Sequence, residues 1–71
     1  MSRIFQLGSK VTKEQIVTLQ LMAEGYTTPE IAKKLEVHIK TIEARRSRIF
    51  VNLGARNGLE AIYIACKLDL I

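Results

Sequence analysis

The chain carries little with which to do covalent chemistry. Its 71 residues include a single cysteine and a single histidine, and its seven acidic residues are scattered over helix starts and surface positions. No glycine-rich phosphate loop is present either. Neither a nucleophile–base pair nor a cluster of metal ligands can be assembled from that inventory, so an enzyme is not expected and no catalytic residue, metal or cofactor is assigned. Cys66 has no partner for an intrachain disulfide and is expected to be a buried, inert small hydrophobe. His38, with no second histidine or clustered cysteine beside it, reads as a structural turn residue. One proline and four glycines are too few for a disordered or collagen-like chain. No apolar run approaches the roughly 18 residues that cross a bilayer, and "MSRIFQLGSK" is too short and too polar for a secretory signal, so the expected location is the cytoplasm, without a membrane partner.

What is present is a folded composition, 48% hydrophobic and 25% charged, in a length that supports one small domain with a marginal core. Self-association would help such a domain. The charge is unevenly placed. Between Lys40 and Arg56 lie five basic residues (Lys40, Arg45, Arg46, Arg48 and Arg56) against the one acid Glu43, so this segment holds the whole of the formal excess of +4. A solvated helix face usually mixes signs, whereas a continuous positive segment is the footprint of a phosphate-binding face.

Period and punctuation predict an all-α fold of four short helices. The first runs from Thr12 to Glu24: "TKEQ" offers the reciprocal pairing of a capping box, Val17, Leu19, Leu21 and Met22 supply apolar positions, and Gly25 suits a left-handed close. A second starts at "TTPE", with Thr27 or Thr28 as cap, Pro29 in the first turn and Glu30 favouring the helix N-terminus, and it ends near Glu36. After the tight connection "EVHIK", Ile42, Ile49 and Leu53 form one stripe of a third helix ending at Gly54. Its opposite side carries Lys40, Ala44, Ser47 and Val51, with Glu43 and Arg48 on the shoulders. Arg45 and Arg46 fall beside the apolar stripe, where their stems are expected to pack on the domain while the guanidinium groups reach outward to phosphate. The last helix opens at "NGLE" with Asn57 as cap and Glu60 three residues on. It is apolar nearly all round through Leu59, Ile62, Tyr63, Ile64, Cys66, Leu68, Leu70 and Ile71, which implies a burial partner beyond its own core.

Two short helices joined by a tight turn, the second carrying clustered positive charge and a compact outer face, describe a helix-turn-helix. The stretch "VTKEQIVTLQLMAEGYTTPEIAKKLEVHIKTIEARRSRIFVNLGARNGLEAIYIA" resembles the LuxR-type (GerE-like) DNA-binding domain. The matching positions are Thr12, Ala23-Glu24-Gly25, Glu30-Ile31-Ala32 with Leu35, Thr41-Ile42, Ile49, Leu53-Gly54 and Glu60-Ala61. The resemblance implies a domain over 11–71 after an arm or linker at 1–10, with the recognition helix, about residues 39–53, in the major groove of duplex DNA. By the same resemblance Glu43, Ala44 and Ser47 read base edges, while Thr28, Lys40, Thr41, Arg45, Arg46, Arg48 and Arg56 serve the backbone or groove edge. The fourth helix would pair two copies through Leu59, Tyr63, Cys66 and Leu70, and RNA polymerase would be a further partner.

The chain departs from that pattern in several places. His38 stands where a capping or phosphate-binding serine is common. The lysines common at Glu43 and Asn52 and the arginine common at Gly58 are absent, losses that Arg46, Arg48 and Arg56 are expected to offset. Glu43 has two readings. A carboxylate in the groove accepts from cytosine N4, and the same carboxylate on a solvated helix pairs with a neighbouring arginine. The missing cations also suit a rival function, a small module that pairs with a larger LuxR-type regulator and modulates it without strong DNA binding of its own. Met1 and a domain that fills the chain suit a stand-alone regulator, and equally the effector domain of a longer response regulator with "SRIFQLGSK" as linker.

Overall fold

The computed structural model describes residues 10–71, so the arm assigned to 1–10 lies, apart from Lys10, outside the described residues. Four helices follow in order: α1 (Lys13–Ala23), α2 (Thr28–Leu35), α3 (Ile39–Leu53) and α4 (Gly58–Lys67), with no strand among the described residues. Each begins where a side chain can take up an orphan backbone donor. At α1 the Gln15 N–H donates to Thr12 Oγ1 (3.2 Å) and the Thr12 N–H donates back to Gln15 Oε1 (3.3 Å). At α2 the cap is Thr27, with Thr28 the first helical residue. The Thr27 N–H donates to Glu30 Oε1 at 2.8 Å and the Glu30 N–H to Thr27 Oγ1 at 3.4 Å, a pairing that holds the Glu30 carboxyl below the usual carboxylate range.

The link from α2 to α3 is three residues long, and Glu36 makes it tight by adopting the left-handed conformation (φ 58°) in which the Val37 N–H reaches back to the Ala32 carbonyl at 3.0 Å. Such a conformation costs a non-glycine residue about 1–2 kcal/mol, which the closed hydrogen bonds and the packing of Val37 on the core offset. His38 then caps α3: the Lys40 N–H donates to His38 Nδ1 at 3.2 Å. The imidazole therefore does the capping work expected of serine.

α3 is the element that the others share. Its stripe Ile42, Ile49 and Leu53 is buried throughout. Ile49 and Leu53 pack with Leu19, Ala61 and Ala65, while Ile42 packs with Leu21, Met22, Ile31 and Ala32. The half-buried Phe50 touches both groups and joins them into one interior. Ala61 and Ala65, fully buried, let α4 approach closely.

α1 departs from its expected apolar pattern. Val17 is partly exposed, whereas the polar Gln15 and Thr18 are buried. The reason is hydrogen bonding. Gln15 Oε1 accepts from Asn52 Nδ2 (3.1 Å) as well as from Thr12, and Thr18 Oγ1 donates to the Glu14 carbonyl (3.0 Å) and accepts from Arg45 Nη1 (3.3 Å). Asn52 Nδ2 also donates to the Lys10 carbonyl at 3.4 Å, so this residue ties the end of α3 to the chain leading into α1.

Truncating the shared stripe should therefore be the most damaging single change. Ile49→Ala is expected to cost about 2–5 kcal/mol, measured as a fall in the denaturant midpoint. His38→Ala should cost about 1 kcal/mol through loss of the α3 cap and His38→Ser almost nothing, read from the same unfolding curves.

Candidate nucleic-acid interface

Burial of the stripe turns a single side of α3 outward. Lys40, Thr41, Glu43, Ala44, Ser47, Arg48 and Val51 are all exposed, so the outer face expected from the wheel is formed. It is low in relief, because Ala44 and Ser47 are small and the Ser47 hydroxyl folds back to donate to the Glu43 carbonyl at 3.2 Å. The carboxylate of Glu43 has no ion pair among the described residues. The salt bridge found among the described residues joins Arg56 to Glu60, so the pairing of Glu43 with a neighbouring arginine is not formed.

The arginines among the described residues fall into two sets. Arg48 is exposed and, like Lys40, has no side-chain partner among the described residues. The other three are held by this chain. Arg45 does not reach outward as expected: half-buried, it turns its guanidinium back onto α1, where Nη1 donates to the buried Thr18 hydroxyl. Arg46 lies over the Phe50 ring, with its guanidinium carbon 5.4 Å from the ring centroid. Its Nη2 rests 3.5 Å from where a side chain at Gly58 would begin, so the cation missing at Gly58 is replaced in space by one reaching across from α3.

Arg56 is gripped by Glu60 from both its backbone and its side chain. Its N–H donates to Glu60 Oε1 at 2.7 Å, its Nε to the same oxygen at 3.3 Å, and its Nη2 to Oε2 at 3.0 Å. The Glu60 N–H donates to Asn57 Oδ1 at 2.9 Å, which caps α4 as expected, but the Glu60 carboxylate serves Arg56 instead of returning to Asn57. The hydrogen bonds from the Arg56 side chain hold the Glu60 carboxyl below its ordinary range and raise the Arg56 guanidinium above its own. Part of the segment's positive charge is thus answered by an acid four residues beyond it.

Thr28 sits half-buried in the first turn of α2, and the residues that dock the inner arginines, Thr18 and Phe50, had no functional reading. Signals for them existed. Thr18 puts a hydroxyl amid the apolar "VTLQLM", and Phe50 follows Arg46 by four residues, one helical turn.

On α4, Leu59 (80% exposed), Tyr63 (61%) and Cys66 succeed one another on one outer stripe, and Lys67 Nζ lies 5.9 Å from the centroid of the Tyr63 ring. Cys66 is exposed, which corrects its expected burial. Leu70 departs from the stripe: it is half-buried and packs against the group containing Leu19 and Leu53, because its N–H turns back to the Ala65 carbonyl at 2.9 Å after the helix ends. Among the described residues no helix is long and apolar enough to cross a membrane, and no group of three or more His, Cys, Asp or Glu side chains is placed to hold a metal ion.

A three-residue link, a buried stripe that fixes the outer face of α3, and a fourth helix across its back define a helix-turn-helix domain of the DNA-binding regulator class. Residues 9–65 match the family described as bacterial regulatory proteins, luxR family, and the chain belongs to that family. It is similar to the oxygen regulatory protein NreC of Staphylococcus aureus strain JH9, with 38% identity over 61 residues, covering 86% of this chain and 28% of that protein. The NreC proteins of strains USA300 and NCTC 8325 are matched to the same extent. The chain thus spans little more than a quarter of the length of these relatives. No solved structure matches it.

Because the Glu60 carboxyl titrates below its ordinary range in the folded state, its contribution to stability is present at neutral pH and is lost as pH falls through the folded-state value. Glu60→Gln should therefore melt below the parent near pH 7, and the difference should close as the pH is lowered through the carboxylate range in a series of thermal melts.

Proposed function

We propose that this chain binds duplex DNA through the outer face of α3 and acts as a sequence-specific transcriptional regulator, paired with a second copy through α4. The observation that carries this reading is the α3 face itself: low, exposed, held at one rotation by three buried residues, and bearing Lys40 and Arg48 without acidic partners among the described residues. Those two cations would meet phosphates, while Thr41 and Thr28 would lie at the groove edge. Ala44 and Ser47 let α3 sit close to base edges, and the Glu43 carboxylate would accept from cytosine N4. Arg45, Arg46 and Arg56, docked on their own domain, would add long-range positive potential, with Arg46 and Arg56 reaching phosphate beside the start of α4. Neither covalent chemistry nor a cofactor enters this function. The protein would act in the cytoplasm, altering the access of RNA polymerase to the bound site.

The pairing surface is the stripe Leu59, Tyr63 and Cys66, since leaving large apolar side chains in water is unfavourable and a domain of this size gains stability from a second copy. A second reading, a module that captures a larger regulator through that stripe, is favoured by the internal occupation of Arg45, Arg46 and Arg56. Titrating mixed-sequence duplex into the protein at two salt concentrations separates them. Binding that weakens steeply with salt supports the first, and a folded sample that ignores duplex at low salt supports the second.

Arg48→Ala should weaken binding to all duplexes alike and flatten the salt dependence by about one contact. Glu43→Gln should change the ranking among duplexes in a binding selection; an equal change for every sequence would remove Glu43 from base reading. For the pairing surface, Tyr63→Asp is expected to shift the sedimenting species to the monomer mass while leaving the circular dichroism of the fold in place.

A further inference from the structure

Val51 stands out on α3. It is 75% exposed, although it sits between Ile49 and Leu53, which are 0% and 1% exposed. Those two neighbours pin the rotation of the last turns, so the side chain of Val51 points directly away from the core, in line with Lys40, Ala44 and Ser47. A lone exposed valine on a protein surface needs no explanation. This one lies on the row of residues offered to DNA. It is also stiff, because a β-branched side chain in a helix keeps essentially one rotamer. Its turn is closed by Gly54, whose N–H donates to the Val51 carbonyl at 3.2 Å from a left-handed conformation that glycine adopts freely. Val51 is therefore a rigid apolar knob at a defined height on the face.

No part of the described chain covers that knob, and it has no polar atom to offer a phosphate or a base amide. In the major groove the apolar group on a base edge is the C5-methyl of thymine. Val51 lies seven positions beyond Ala44, a rise of about 10 Å along the helix, so the two side chains meet different base pairs. We propose that Val51 is a specificity-determining residue that reads a thymine methyl on a base pair other than the one met by Glu43 and Ala44. This rests on the reading that α3 lies in the major groove. It adds to that reading a second, apolar point of discrimination at the far end of the helix, so that the half-site is read at two separated places.

The test begins with a preferred duplex selected from a randomised library. Each thymine in it is then replaced singly by uracil, which removes the methyl group and leaves the hydrogen-bonding edge intact, and dissociation constants are measured for the parent and for Val51→Ala. The expected result is one thymine whose replacement weakens the parent about fourfold, the worth of one buried methyl group, and leaves Val51→Ala unchanged. That thymine should belong to a base pair other than the one whose preference changes in Glu43→Gln. Because Val51 is exposed, Val51→Ala should melt with the parent. If selected duplexes bind but no thymine shows this coupling, the role of Val51 is overturned while groove binding by α3 stands. A library that yields no preferred sequence overturns it too, and a folded protein that binds no duplex overturns both.

Discussion

The rotation of α3 about its own axis is the quantity on which everything else depends. Three aliphatic side chains set it: Ile42, Ile49 and Leu53 are withdrawn from water by α1, α2 and α4 together. Burying each contributes on the order of 1.5–3 kcal/mol. A helix rotated by one residue would expose part of that stripe and bring Glu43 or Arg48 toward the interior. The same burial that stabilises the domain therefore decides which side chains can meet a partner, and it does so without any interaction at the outer face. The polar surface is free to vary because it carries little of the stability.

Charge is distributed on a different principle. The arginines of α3 are adjacent in sequence but diverge in space, Arg45 toward the Thr18 hydroxyl on α1 and Arg46 across Phe50 toward the start of α4, while Arg48 remains in water. Docking a long cationic side chain lowers the entropy it would lose on meeting an anion, at the cost of donors already used. Net positive potential survives around the helix, but the groups able to make new hydrogen bonds without breaking old ones are fewer than the formal charge suggests.

Much of this was legible in the sequence because it is written in local rules. Thr12 with Gln15, Thr27 with Glu30, Gly54 and Asn57 mark helix ends through hydrogen bonds that span three or four residues, and the structure forms them, while Pro29 marks the first turn of α2 through its fixed φ. The 3.6-residue period likewise separated the buried stripe of α3 from its outer face. What escaped was set by partners distant in the chain. The burial of Thr18, and a second role for Gln15 beyond its cap, come only with Arg45 and Asn52, 27 and 37 residues away. Leu70 continued an apolar pattern past the point where the helix stops, and a wheel cannot show the backbone turning back. Arg56 is answered by Glu60, an acid four residues beyond the basic segment.

Asn52 shows how such a distant contact changes the character of the fold. Its amide nitrogen donates both to the Gln15 side chain and to the Lys10 carbonyl, while the same Gln15 oxygen also caps α1. The first turn of α1 and the last turn of α3 are thus closed by one shared set of donors and acceptors. Opening either end takes hydrogen-bond partners from the other, so the two helix ends are coupled. A displacement of the backbone at Lys10 therefore bears, through Asn52, on the C-terminal end of α3, the end farthest along the chain from the turn.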